Sequence, residues 1–266
     1  MSTTTAINPV FGILPSGVLG NPVPFNISIP QPDLDQLTAL VQHGVIAAPT
    51  YYNTHNISQG FEYAFGASRD WLADAQGYWT SQFDWRAHEA RWNTIPQFTI
   101  SLPSSSPENQ NQTFNLHFAA LFSSNKDATP VIFSHGWPSS WMDFIPIMQL
   151  LADKYTPETL PYHIIAPSIP DFGLSTRSDV TETELDFYKA AGALNELMKA
   201  LGFGISEDAD GKKKGGYIAQ GGDVGSGLTS ALGGGFEDCR AVHCEFLLFF
   251  FSHFFLCISF VLGSWG

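Results

Sequence analysis

Basic residues and cysteines are scarce in this sequence, and long apolar runs are missing until its end. Each shortage excludes something. Twelve Lys and Arg stand against 25 Asp and Glu, a formal net charge of -13. Such a surface repels a phosphate backbone, so no nucleic acid is expected as a partner. The one basic run, Lys212-Lys213-Lys214, lies between acidic and Gly-rich residues and reads as a solvated loop. The three cysteines, Cys239, Cys244 and Cys257, crowd into the C-terminal end. They cannot staple the main body, and no paired spacing points to a metal site, so no metal is expected. The N-terminus has no basic start followed by an apolar stretch, which argues against a secretory leader. A reducing, cytoplasmic location is the expectation that follows.

What is present is 266 residues, 44% of them apolar, enough for one large α/β domain with a sizeable core. Residues 1–24, rich in Pro, Gly and Thr, read as an irregular lead-in. Residues 25–94 form a largely helical N-terminal region. It opens on the alternating stretch 25–29, read as a short strand, and carries recurrent aromatics from 63 to 92 that are expected to pack. From 95 to 245 the pattern changes. Alternation around Phe98 and Phe114–Phe118 marks a hairpin, and short continuous apolar runs at 131–133 and 163–166 suit strands buried on both faces. Helical stripes at 141–153 and 183–201 follow, the second with a Thr181/Glu184 capping box. A further strand at 217–219, a helix at 226–232 and a strand at 241–243 complete an α/β order with a mostly parallel sheet. Residues 246–266 break the pattern. The run 246–262 is nearly all Phe, Leu, Ile, Cys, Ser and Val, and it reads either as a tail anchor or as non-native sequence such as a translated intron. A membrane partner is expected only on the first reading.

Two motifs carry chemistry. Gly221-Gly222-Asp223-Val224-Gly225-Ser226 follows one expected strand and precedes a helix. Small residues around a central side chain suit a nucleophile elbow, a strained turn that lifts that side chain above the sheet. Here the side chain is a carboxylate, already ionised at neutral pH and able to attack carbon without a base. A Gly-rich turn with Asp223 as an ordinary helix N-cap is the alternative. The glycines do not match the dinucleotide fingerprint, and no cofactor is expected. The second motif, His135-Gly136-Trp137-Pro138, follows the strand at 131–133. In an elbow enzyme such a loop gives one backbone N–H to an oxyanion hole, and the residue after the nucleophile gives another. Trp137 and Val224 are the expected donors. Gly136, Pro138, Gly222 and Gly225 shape the turns, and His135 supports the loop.

These residues, with the runs at 83–90 (Phe-Asp-Trp-Arg-Ala-His-Glu-Ala), 96–98, 135–140, 166–173, 197–202 and 220–223, resemble the epoxide hydrolase family whose members carry an extra N-terminal region. The resemblance covers roughly residues 25 to 243. It implies an α/β-hydrolase core, a small-molecule epoxide as substrate and no cofactor. It also implies a covalent mechanism in which Asp223 forms an ester that water hydrolyses to a diol. Four features depart from the family: Val224 for Trp, Ser139 for Gly, Asp171 for Gly, and an insertion at 206–214. In the family the cap tyrosines, the acid and the water-activating His follow the sixth sheet strand. His243 and His253 are not placed to act as that base. The expectation is therefore a chain truncated in its C-terminal third, carrying half a site and unable to turn over. A haloalkane dehalogenase-like hydrolase and a non-catalytic, tail-anchored α/β-hydrolase-fold protein are the alternative readings.

Overall fold

The computed structural model describes residues 9–55, 65–104, 112–178, 184–245 and 261–263. Two compact units emerge, residues 27–91 and the remainder of the chain.

The larger unit is built on one mixed sheet. Its strands are β1 (Val23–Pro24), β2 (Gln97–Pro103), β3 (Thr113–Leu121), β4 (Thr129–Ser134), β5 (Tyr162–Pro167), β6 (Thr176–Arg177), β9 (Tyr217–Gly221), β10 (Cys239–Cys244) and β11 (Val261–Gly263). The order is β1-β2-β3-β5-β4-β9-β10-β11, with β6 on β3. β2 and β3 form the expected antiparallel hairpin; its connection at 105–111 lies outside the described residues. β5, β4, β9 and β10 run parallel. Between them come α5 (Ile145–Lys154), α6 (Phe187–Ala200) and α7 (Val224–Gly235). Mixed strand directions and intervening helices fit an α/β-hydrolase core, as the sequence led one to expect.

The core forms where the apolar stripe of α6 meets the sheet. Ala191, Leu194, Leu197 and Met198 are wholly buried, as are Leu116, Phe118 and Ile132 from β3 and β4. Three imidazoles lie in this interior, and one, His117, sits between Ser168 Oγ and Gln97 Oε1, each 3.0 Å from a ring nitrogen.

Three local expectations shift. Residues 25–29 are not a strand: the pairing with β2 comes earlier, at Val23 and Pro24. The N–H of Ile29 instead donates to Glu89 Oε2 at 3.1 Å, so this stretch is tied down by a side chain. α6 begins at Phe187, later than the Thr181 box implied, because Asp186 accepts from the Lys189 N–H at 2.8 Å and caps it. Residues 179–183, which include Thr181, lie outside the described residues. The insertion at 206–214 becomes a hairpin of β7 (Ile205–Glu207) and β8 (Lys213–Gly215), its turn held by N–H groups of Asp210 and Lys212 on Asp208 Oδ1.

The smaller unit holds α1 (Gln31–His43), α2 (Tyr51–Thr54), α3 (Arg69–Ser81) and most of α4 (Trp85–Trp92). Glu89 is its polar knot, accepting from Ile29 N, Trp85 Nε1 and Arg86 Nη1. The aromatics expected to pack do so only in part. Trp79, Phe83 and His88 stack on one another, but Trp71 is 55% exposed and Tyr78 52%.

Of the apolar run at 246–262, residues 246–260 lie outside the described residues, and β11 pairs antiparallel with β10. Among the described residues no helix is long and apolar enough to cross a membrane.

Candidate active site

β4 and β9 lie side by side in parallel, with Ser134 opposite Gly221. The register matters because both motifs begin where these strands end. The loop at 135–138 and the turn at 221–225 are thereby delivered to the same edge of the sheet.

Asp223 has φ 51° and ψ -126°. A left-handed φ is costly for a residue with a Cβ and persists only where the surroundings enforce it. The enforcement is visible at two glycines. A Cβ on Gly225 would lie 2.1 Å from the Ser134 carbonyl oxygen, and one on Gly136 would lie 2.6 Å from the Asp223 Cβ. Only glycine lets α7 approach β4, and the following loop approach the turn, this closely.

Asp223 occupies the N-cap position of α7, yet its side chain makes no cap hydrogen bond. Its Oδ1 instead accepts from the Trp137 N–H at 2.8 Å, across 86 residues of chain. The Trp137 N–H, followed by the Val224 N–H, holds this carboxyl below its ordinary range, with a small opposing effect from desolvation. The structure thus brings together Asp223, Trp137 and Val224. The Trp137 side chain stays 67% exposed, so it is the backbone of this residue that meets the carboxylate.

Gly136, Trp137 and Gly222 line a cavity of about 410 Å³ together with Asp223. The Trp137–Pro138 bond is cis, and Ser139 Oγ donates to the Gly136 carbonyl at 3.2 Å. His135, only 2% exposed, turns inward. One nitrogen, Nδ1, lies 2.9 Å from the Gly136 carbonyl; the other, Nε2, accepts from the Ile169 N–H at 3.1 Å. That pairing makes Nδ1 the donor. Burial lowers its pKa, with the Gly136 carbonyl and Asp143 pulling the other way. His135 therefore pins its loop to the segment after β5.

Gln220, from the 220–223 run, also lines the cavity, as do Asp143 and Glu245, which sequence reasoning missed. No motif flags these two; they arrive through the start of the helical stretch after the loop and the end of β10. It also missed why position 171 favours glycine. Asp171 adopts φ 67°, and its carboxylate meets Arg177 Nε at 2.6 Å, a partner that glycine could not offer. His243 is an exposed residue of β10, and His253 lies outside the described residues. Among the described residues no group of His, Cys, Asp and Glu is arranged to hold a metal ion.

Known proteins are similar to this chain in sequence and in fold. Residues 22–144 match the family model described as "Epoxide hydrolase N terminus". A "Putative epoxide hydrolase" of Dothistroma septosporum is 42% identical over 235 residues, covering 88% of this chain and 51% of that protein. The solved epoxide hydrolase of Aspergillus niger superposes with a TM-score of 0.74 at 40% identity, covering 90% of this chain and 56% of that one. The juvenile hormone epoxide hydrolase of the silkworm Bombyx mori shares the fold, with a TM-score of 0.65 at 21% identity. The chain spans about half the length of the curated relatives it matches. Over the stretch it shares with them, the chain belongs to the epoxide hydrolase family, built on the α/β-hydrolase fold.

Proposed function

We propose that Asp223 is the nucleophile that opens an epoxide ring, and that the N–H groups of Trp137 and Val224 form the oxyanion hole. The observation carrying this reading is the Asp223 carboxylate, held by the Trp137 N–H on a turn of positive φ. An Asp oxygen attacks one ring carbon, the carbon–oxygen bond of the ring breaks, and the released oxygen takes a proton from solvent to become a hydroxyl, a proton that the water attacking the ester later returns. The product is a hydroxyalkyl ester of Asp223. Attack of water on the ester carbonyl drives charge onto the carboxyl oxygen facing the two N–H groups, where preorganised donors are most effective. Collapse of that intermediate releases a diol and restores the carboxylate. No cofactor enters the scheme.

The N-terminal match over residues 22–144 favours an epoxide over a carbon–halogen bond as the target. Turnover needs a group to take a proton from the attacking water. His135 lines the cavity, but both of its nitrogens are engaged, by the Gly136 carbonyl and the Ile169 N–H. Among the described residues no other histidine lines the cavity, and the 266-residue polypeptide is proposed to form the ester and to hydrolyse it slowly, since losing a general base costs typically 10²–10⁴-fold. Product counting tests this. With a reactive epoxide in excess, close to one equivalent is consumed per chain and diol appears no faster than in buffer. Many equivalents of diol per chain, lost in Asp223→Asn, would refute the single-turnover part and leave the nucleophile standing.

A further inference from the structure

β4 ends beside the Asp223 turn, and the loop that leads into it borders a second cavity. This cavity measures about 480 Å³ and lies within the larger unit. Its walls are largely apolar: Ile13, Leu14 and Pro15 from the N-terminal segment, and Phe122 from the end of β3. The Phe122 N–H donates to the Phe11 carbonyl at 2.8 Å and so fixes the N-terminal wall against the sheet. Ile13 is 67% exposed, leaving a large apolar side chain uncovered at the mouth. A hollow of this size, walled by apolar side chains with a few fixed polar groups, is the usual form of a small-molecule site.

The polar groups are tied down. Ser123 Oγ donates to the Leu160 carbonyl at 2.7 Å and accepts from the Asn125 N–H at 3.0 Å. His163, 7% exposed, also lines the cavity. Its Nδ1 accepts from the Ser123 N–H at 3.2 Å, and its ring packs 4.7 Å from that of Phe203. With Nδ1 an acceptor, the neutral ring carries its proton on Nε2. That N–H has no hydrogen-bond partner among the described residues. Nor does Nε2 count among the side-chain atoms sealed from solvent, so its open side is the cavity. Burial depresses this imidazole to about 4, so near neutral pH it offers one N–H without a charge. Exposed Lys126 and Glu158, one of each sign, line the same hollow, and neither sign of ligand is favoured.

We propose that this cavity binds an uncharged small molecule with an apolar body and one acceptor oxygen, such as a ketone or an ester, whose oxygen accepts from His163 Nε2–H. Water alone meets the donor but leaves the apolar walls wetted; a ligand of this kind covers both. No residue lines both this cavity and the one at Asp223, so the site stands apart from the proposed reaction.

The test is an NMR titration of the uniformly ¹⁵N-labelled 266-residue chain with cyclohexanone. Saturable shifts are expected at the Ser124 and Asn125 N–H signals and at the His163 ring nitrogens. His163→Phe keeps a flat apolar ring and deletes the donor; it weakens binding about fivefold, the worth of one neutral hydrogen bond. Ile13→Glu sets a charge in the apolar wall at an exposed position and also weakens binding, by about fivefold. Circular dichroism checks that both variants fold, and Ile13→Glu alone decides if His163→Phe does not. Shifts that never saturate, saturation elsewhere with these signals unmoved, or unchanged affinity in a folded variant overturns the proposal.

Discussion

At the scale of single residues, the account depends on how tightly the Asp223 turn is packed. Gly225 is the most constrained position, because any side chain there collides with the Ser134 carbonyl. Gly225→Ala is expected to destabilise the larger unit by about 1–3 kcal/mol, the usual cost of overpacking. Urea denaturation followed by tryptophan fluorescence measures it; an unchanged midpoint would mean that the turn has room to spare. The N–H groups that hold the Asp223 carboxyl below its ordinary range also set its pH response. A lowered pKa keeps the nucleophile ionised where an ordinary aspartate, at about 3.9, is half protonated, so ester formation should stay level down to about pH 4. A rate already halved at about pH 4, in protein still folded by circular dichroism, would show that the donors are not in place.

At the scale of elements, the buried histidines of β3 and β5 govern acid stability. Burial depresses both His117 and His163 to about 4, from 6.5. In the unfolded chain each binds a proton first as pH falls. The stability they hold is complete above about pH 6.5 and is lost progressively toward pH 4, on the order of 3 kcal/mol for each at the limit. Urea midpoints at pH 7, 6, 5 and 4 should fall in step; in His163→Phe the fall should be shallower. At the start of α6, Asp186→Ala should cost about 1 kcal/mol by removing the cap on Lys189 N–H. The same elements show what the sequence could reveal. The β2–β3 hairpin, the parallel strands and the Asp223 turn were readable because period-2 alternation, apolar runs and clustered small residues report directly on backbone demands. The stretch at 25–29 alternated as a strand should, but its Ile29 N–H is claimed by Glu89, a long-range partner that no local pattern contains. The helix expected from 183 starts instead at Phe187, where Asp186 supplies the cap. The exposed aromatics of α3 show that abundance of aromatic residues does not determine how much of their surface is covered.

At the scale of the whole molecule, two compact units carry a family signature over the length shared with the relatives. The candidate site itself was legible because two motifs, 86 residues apart, only make chemical sense if a sheet brings them together. What the sequence could not convey was the inward turn of His135, which follows from Ile169 offering its N–H across the loop. The most direct measurement is peptide mapping by mass spectrometry after the chain meets a small reactive epoxide at neutral pH. The account predicts one added epoxide mass on the peptide containing Asp223, and none in Asp223→Asn. A modification located on another residue, or one that persists in Asp223→Asn, would contradict it.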